Sequence, residues 1–256
     1  MAPLAPQPLA ASASYLRRRV PLAGGRATTV HVARFDRSRV RSRVALLPAP
    51  QTLLAWCAER GVSDAIVGGF FTRPDTVPLG ELWIDGVRQG SAPFDSPWDS
   101  LRSCVHLDGA SAHILPRWAL GPAPAGHVLQ AGPLLVRHGA PVARDGADSE
   151  GFSAAAHQFD SDITRGRYPR AALGISAREL IAVACDGRAS ADAGLTLPEL
   201  AAVLADLGAD EAINLDGGGS TSLVFSGRLR NRPREEHGVP LPAGRPIATA
   251  IVFERL

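Results

Sequence analysis

The chain has 256 residues and a formal net charge of +2. That length holds one large domain or two small ones with a sizeable core, and the near-neutral balance implies no nucleic acid or other polyanion as partner. Arginine supplies all the formal positive charge, with no lysine anywhere, which excludes Schiff-base chemistry and a P-loop lysine.

The Ala/Pro/Ser-rich opening, residues 1–14, reads as a disordered arm, drawn out to residue 20 ahead of one domain over 21–256. Residues 27–35 and 42–47 alternate as strands do, and the arginines between and within them (Arg37, Arg39, Arg41, Arg43) read as a solvated edge. Gln51–Arg60 is a short helix closed by Gly61. "SDAIVGGFF" is a strand running into Gly68-Gly69, where Phe70 and Phe71 read as core ahead of a sugar-stacking platform. Asp85-Gly86 and Asp108-Gly109 each sit between alternating residues and predict hairpins. "HVLQAGPLLVRHG" predicts a strand pair broken at Gly132-Pro133, and the polar stretch 140–168 predicts a long surface loop.

From Pro169 the pattern sharpens. "RAALGIS" and "ELIAVACDG" read as a hairpin. "TLPELAAVLADLGA" reads as a helix, with Thr196 and Glu199 as a capping box, Pro198 in the first turn and Gly208 at its end. Strands follow at "AINLD", Ser222–Phe225 and Ile247–Glu254. Many short strands with only two good helices define an α+β fold: a single domain with a mixed or mainly antiparallel sheet, many hairpins and a few packed helices. No apolar stretch reaches the roughly 20 residues of a membrane-spanning helix, so no membrane partner is expected. Cys57, Cys104 and Cys185 are sparse and odd in number, which fits core thiols in a reducing compartment. With no basic, apolar leader at the N-terminus, the expected location is cytoplasmic.

The segment "NLDGGGSTS" (Asn214–Ser222) carries the most chemistry. Its spacing fails the dinucleotide fingerprint, which needs a third glycine where Ser222 stands, and the nucleophile elbow, which needs a glycine two residues after the serine. No histidine or cysteine cluster has metal-ligand spacing; the expectation is no cofactor, with an oxygen-ligated divalent cation near Asp216 left open. Asp216 then either caps a tight hairpin or stands beside bare backbone donors at a ligand, with Asn214 two residues earlier on the same strand face.

This segment resembles the signature of the phosphodiester glycosidase family. "VGGFF" (Val67–Phe71), "LQAGPLLV" (Leu129–Val136), "YPRAALGIS" (Tyr168–Ser176), "CDGR" (Cys185–Arg188), "AGLTLPELA" (Ala193–Ala201) and "GRPIATAIV" (Gly244–Val252) are similar to further family elements in the same order, over residues 60–256. Two positions depart from the pattern: Val67 where the family often has Asn, and Ala171 where it usually has Thr. The resemblance implies hydrolysis of a sugar-1-phosphodiester at the anomeric C–O bond, with a small sugar-phosphate or glycan substrate and an open oligomeric state. It makes Asp216 the candidate base or nucleophile and Arg170 the candidate phosphate ligand, with Arg245 second. Asp186 is a candidate to orient water or bind sugar hydroxyls, or else an ordinary turn residue. Asn214, Gly217, Gly218, Gly219, Ser220, Gly68 and Gly69 are the expected substrate-binding positions. His157 in the polar loop reads as a solvated side chain. Two other readings stay open: a different carbohydrate hydrolase or lyase on the same scaffold, and a catalytically silent glycan- or nucleotide-binding module.

Overall fold

A computed structural model describes residues 12–144, 147–153 and 163–256. Strands β1 (Ala13–Pro21), β2 (Ala27–Asp36) and β3 (Val40–Gln51) come first. Helix α1 (Leu53–Arg60) leads to β4 (Ala65–Val67), β5 (Leu82–Ile84) and β6 (Val87–Arg88). The short helix α2 (Trp98–Leu101) precedes β7 (Ser103–Asp108), β8 (Ser111–Pro116), β9 (His127–Gln130), β10 (Leu134–Arg137) and β11 (Ala140–Pro141). The hairpin β12 (Arg170–Ile175) and β13 (Glu179–Cys185) runs into helix α3 (Leu197–Asp206). The chain closes with β14 (Glu211–Asn214), β15 (Leu223–Phe225), β16 (Arg228–Leu229) and β17 (Ile247–Arg255).

The strands form three sheets, ordered β1-β2-β13-β12-β14-β10-β11, β16-β15-β4-β17-β3 and β6-β5-β9-β7-β8. Every ladder between named strands is antiparallel, which makes the fold α+β.

The first sheet is covered on both faces. Along β13, Leu180, Ala182 and Ala184 join the core shared with the other two sheets, while Ile181, Val183 and Cys185 face the cluster under α3. Successive side chains point to opposite faces, so a strand buried on both sides reads as the unbroken apolar run "LIAVAC". Phe35 of β2 stacks on Phe253 of β17, ring centroids 4.0 Å apart, and fastens the first sheet to the second. The cap of α3 forms as its sequence predicts: Thr196 Oγ1 accepts the Glu199 N–H at 3.2 Å and Glu199 accepts the Thr196 N–H at 2.9 Å.

Three expectations are corrected. Residues 13–20, assigned to the disordered arm, belong to β1, which pairs with β2 over nine positions; residues 1–11 lie outside the described residues. Its run Arg17-Arg18-Arg19 is an exposed, charged edge, the usual guard against edge-to-edge pairing, and such an edge lacks the apolar alternation that marks a strand. Secondly, β9 and β10 do not pair, because the chain changes sheets at Gly132-Pro133. Thirdly, the segment 140–168 is not all surface loop: Glu150, Gly151 and Phe152 are buried. Arg102, fully buried, donates to the carbonyls of Glu150 (3.0 Å) and Gly151 (2.9 Å), and its guanidinium lies between the rings of Phe94 and Phe152 at 4.1 and 4.2 Å. His157 lies outside the described residues.

All three cysteines are free and buried, as core thiols are. Burial pushes the thiols of Cys57 and Cys185 up to about 12, so neither is a nucleophile at neutral pH.

Candidate active site

The first sheet carries a cleft of about 500 Å³ at the end where β12 begins and β14 finishes. In the antiparallel register Ala172 pairs with Asn214, so the start of β12 and the end of β14 meet there. Asp216 stands two residues past the end of β14, its backbone N–H bound to the Gly68 carbonyl at 3.0 Å. Its Oδ1 accepts the Gly217 N–H at 2.9 Å, which turns the carboxylate back onto its own glycine turn. Both an aspartate cap and a cleft-lining aspartate are therefore present in one residue.

The glycines answer two different needs. Gly218 has φ +59 and donates to the Pro169 carbonyl at 2.8 Å, a left-handed position that L side chains rarely adopt. Gly219 is bare for space: a Cβ there would stand 2.8 Å from Glu235 Oε1. The turn thus presses against an acidic side chain from a distant loop.

Arg170 is 3 % exposed and lines the cleft. Its Nε donates to the Leu195 carbonyl at 2.7 Å, and Nη2 donates to those of Ile163 (3.1 Å) and Gly166 (3.2 Å). The guanidinium therefore also holds the 163–168 segment in place. Tyr168 belongs to that segment, and its ring lies 5.5 Å from the Arg170 guanidinium and 5.6 Å from that of Arg188. Asn214 is 2 % exposed; its Nδ2 donates to the carbonyls of Gly132 (2.9 Å) and Leu215 (2.8 Å). Its Oδ1 is buried and has no hydrogen-bond partner among the described residues.

The cleft brings together Asp216, Arg170, Asn214, Gly217, Gly218 and Arg245. Other expected positions stand outside its lining. Gly68 and Gly69 are wedged beneath it: a Cβ on Gly68 would stand 2.4 Å from Thr249 Oγ1, which accepts the Gly69 N–H at 3.0 Å. Gly219 acts through its carbonyl, which accepts the Arg245 N–H at 3.0 Å, and Ser220 is fully buried. Asp186 is 3 % exposed; its Oδ2 lies 3.3 Å from His31 Nε2 and its Oδ1 accepts the Arg232 N–H at 2.6 Å. His31 in turn meets the Tyr15 hydroxyl at 2.8 Å, so Asp186 joins β1 to the loop after β16. Val67 and Ala171, the two departures from the family pattern, are fully buried in the core.

The structure also adds residues that the sequence reading left out: Arg73, Tyr168, Arg188, Glu235 and Glu236. Tyr168 and Arg188 stand inside quoted motifs, and that adjacency was the available signal. Glu235 sits in "RPREEHG", a polar run without periodicity, and ion pairs with Arg245 and Arg188 hold it at the cleft. Phe70 is both core and cleft wall, packed on Phe152 with centroids 5.8 Å apart. Among the described residues no three His, Cys, Asp or Glu side chains converge to hold a metal ion, and no helix is long and apolar enough to cross a membrane.

Comparison with known proteins gives the family and the fold. The family model described as phosphodiester glycosidase matches residues 60–254, which makes the chain a glycosidase-type hydrolase by class. The chain belongs to the phosphodiester glycosidase family. Its fold is shared with the catalytic domain of zebrafish N-acetylglucosamine-1-phosphodiester alpha-N-acetylglucosaminidase, solved as auto-inhibited by its pro-peptide, at TM-score 0.72 and 19 % identity over 95 % of this chain and 83 % of that one. A hypothetical protein from Synechocystis matches at TM-score 0.70 and 19 % identity over 95 % of this chain. The present chain spans 62 % of that protein, less than two thirds of its length. No curated protein matches in sequence.

Proposed function

We propose that the chain hydrolyses the anomeric C–O bond of a sugar-1-phosphodiester. Water adds at the anomeric carbon, the free sugar leaves, and the phosphate stays on the other partner as a monoester. The observation that carries this reading is the meeting of one strand-end carboxylate, Asp216, with the guanidiniums of Arg170, Arg188 and Arg245 in a single cleft.

The chemistry fits the residue types. Glycoside hydrolysis passes through an oxocarbenium-like state that a carboxylate stabilises or attacks. Asp216, which lines the cleft, takes that role in this reading, as a base toward water or as the nucleophile. The group that departs is a phosphomonoester, whose second pKa of about 6 makes it a good leaving group unaided, so protonation contributes less than usual and cationic stabilisation contributes more. Arg170 binds the phosphate charge from a buried, preorganised position, and a guanidinium fork suits phosphate oxygens.

The test is a panel of sugar-1-phosphodiesters assayed with wild type and Asp216→Asn. The expected result is turnover of at least one diester by wild type and a loss of roughly a hundredfold or more in the variant. Equal rates for the two proteins remove Asp216 from the chemistry. Turnover confined to glycans that lack phosphate removes the phosphodiester assignment.

A further inference from the structure

Arg188, Glu235 and Arg245 form a charge cluster on one wall of the cleft. Arg245 holds Glu235 through two nitrogens, with Nε to Oε1 at 2.7 Å and Nη2 to Oε2 at 2.5 Å. Arg188 Nη1 stands 3.8 Å from Glu235 Oε2 and donates to the Arg234 carbonyl at 3.1 Å. Arg245 Nη1 and Arg188 Nη2 make no hydrogen bond among the described residues, so each guanidinium keeps a free edge. The side chains are only 15–32 % exposed, so the charges are less screened than on an open surface. The turn is shaped around this arrangement, because Gly219 leaves space for the Glu235 carboxylate that any side chain would fill.

Two guanidiniums around one carboxylate leave a single net positive charge, and so does the whole lining, where Arg73 and Arg170 are offset by Asp216 and Glu236. A phosphodiester carries one negative charge. A phosphomonoester, with a second pKa of about 6, carries nearly two above neutral pH. The diester neutralises the cluster, while the extra charge of the monoester is set against Glu235 and against Glu236, exposed at the rim. We infer that Glu235 is a specificity-determining counter-charge that makes the Arg188–Arg245 pair prefer a singly charged phosphodiester to a doubly charged phosphomonoester. This rests on the phosphodiester reading above and deepens it. The same device favours departure of the product, since hydrolysis converts the matched charge into the mismatched one.

The experiment measures dissociation constants for dimethyl phosphate and methyl phosphate at pH 8 by ³¹P NMR titration of wild type, Glu235→Gln and Glu235→Asp. Glu235→Gln should tighten methyl phosphate roughly tenfold and dimethyl phosphate no more than about threefold, because removing the carboxylate matters most to the second charge. Glu235→Asp keeps the charge and should keep the wild-type preference, which separates charge from any loosening of the loop. If both probes bind and Glu235→Gln leaves their ratio unchanged, or Glu235→Asp shifts it equally, the counter-charge inference falls and the phosphodiester reading stands. If wild type binds neither probe, both fall together.

Discussion

Asp186 Oδ1 accepts the backbone N–H of Arg232 at 2.6 Å, and this bond ties the end of β13 to the loop that carries Glu235. The other carboxylate oxygen faces His31, which meets Tyr15 of β1. Asp186 therefore acts through the loop and is a positioning residue. Asp186→Ala leaves the Arg232 N–H and the buried His31 imidazole without their acceptor, at a cost of about 2–4 kcal/mol. Asp186→Asn keeps an oxygen for Arg232 and should cost less. Denaturant unfolding and steady-state kinetics on both variants check this. The expected pattern is a folded Asp186→Asn enzyme with kcat largely kept and KM raised; a folded variant with kcat abolished would instead put Asp186 in the chemistry.

Legibility from sequence followed the range of the interactions. Asp216 and Asn214 were readable from the apolar strand and glycine run around them, Arg170 through the resemblance that its motif carries, and the cap of α3 because Thr196 and Glu199 are three residues apart. Glu235 was not, since the partner that places it is ten residues away in another irregular segment. Strand β1 was missed because its strand character comes from β2 alone: of its nine residues the three consecutive arginines face solvent. Asp186 shows the remaining gap, since its short-range setting, an Asp-Gly turn, is the same whether the carboxylate faces a cleft or a histidine behind it.

The two glycine sites should respond to a methyl group in different currencies. Gly68→Ala sets a Cβ 2.4 Å from Thr249 Oγ1 and 2.9 Å from the Thr249 backbone, within a ladder that cannot shift. We expect a loss of about 2–4 kcal/mol in urea denaturation, typical of overpacking in a rigid core. Gly219→Ala meets the far end of the Glu235 side chain, which can swing away, so its stability cost should be about 1 kcal/mol or less. Its effect should appear in substrate affinity, because the displaced carboxylate leaves Arg245. A Gly219→Ala protein with unchanged KM would show that the close approach has no bearing on the cleft.

Acid should loosen β1 before the core. Burial raises the Asp192 carboxyl, but hydrogen bonds from Thr29 and Arg19 outweigh it and hold the folded pKa below the usual carboxylate value. Glu199 follows the same balance, with burial outweighed by Arg167 and the Thr196 cap. A depressed folded pKa means that the unfolded chain takes up protons first as pH falls. The stabilisation is complete above the ordinary carboxylate pKa and is lost as pH drops through the lower, folded value. Arg19 is about half exposed, so its share is small. Hydrogen exchange at pH 2.5 and pH 7, after correction for intrinsic rates, should show selective loss of protection over 13–21 at the lower pH. Asp192→Asn should remove most of that difference, and equal protection at both values would detach β1 from this carboxylate.

Arg102 anchors the packing behind Phe70, a wall of the cleft. Its guanidinium is fully buried between Phe94 and Phe152 and donates to two consecutive carbonyls, those of Glu150 and Gly151. Burial lowers its pKa to about 10, which leaves it charged at neutral pH. Lysine cannot replace it: an ammonium has neither the planar face for two rings nor the fork for two carbonyls. Arg102→Lys should therefore cost about 2–4 kcal/mol despite keeping the charge. Phe152 also packs on Phe70, which lines the cleft, so the loss should reach the site. The expected enzyme is less stable with a raised KM. Unfolding midpoints for wild type, Arg102→Lys and Arg102→Met decide the matter: if lysine is as stable as arginine, charge alone sustains the position and the stacked, forked geometry contributes nothing.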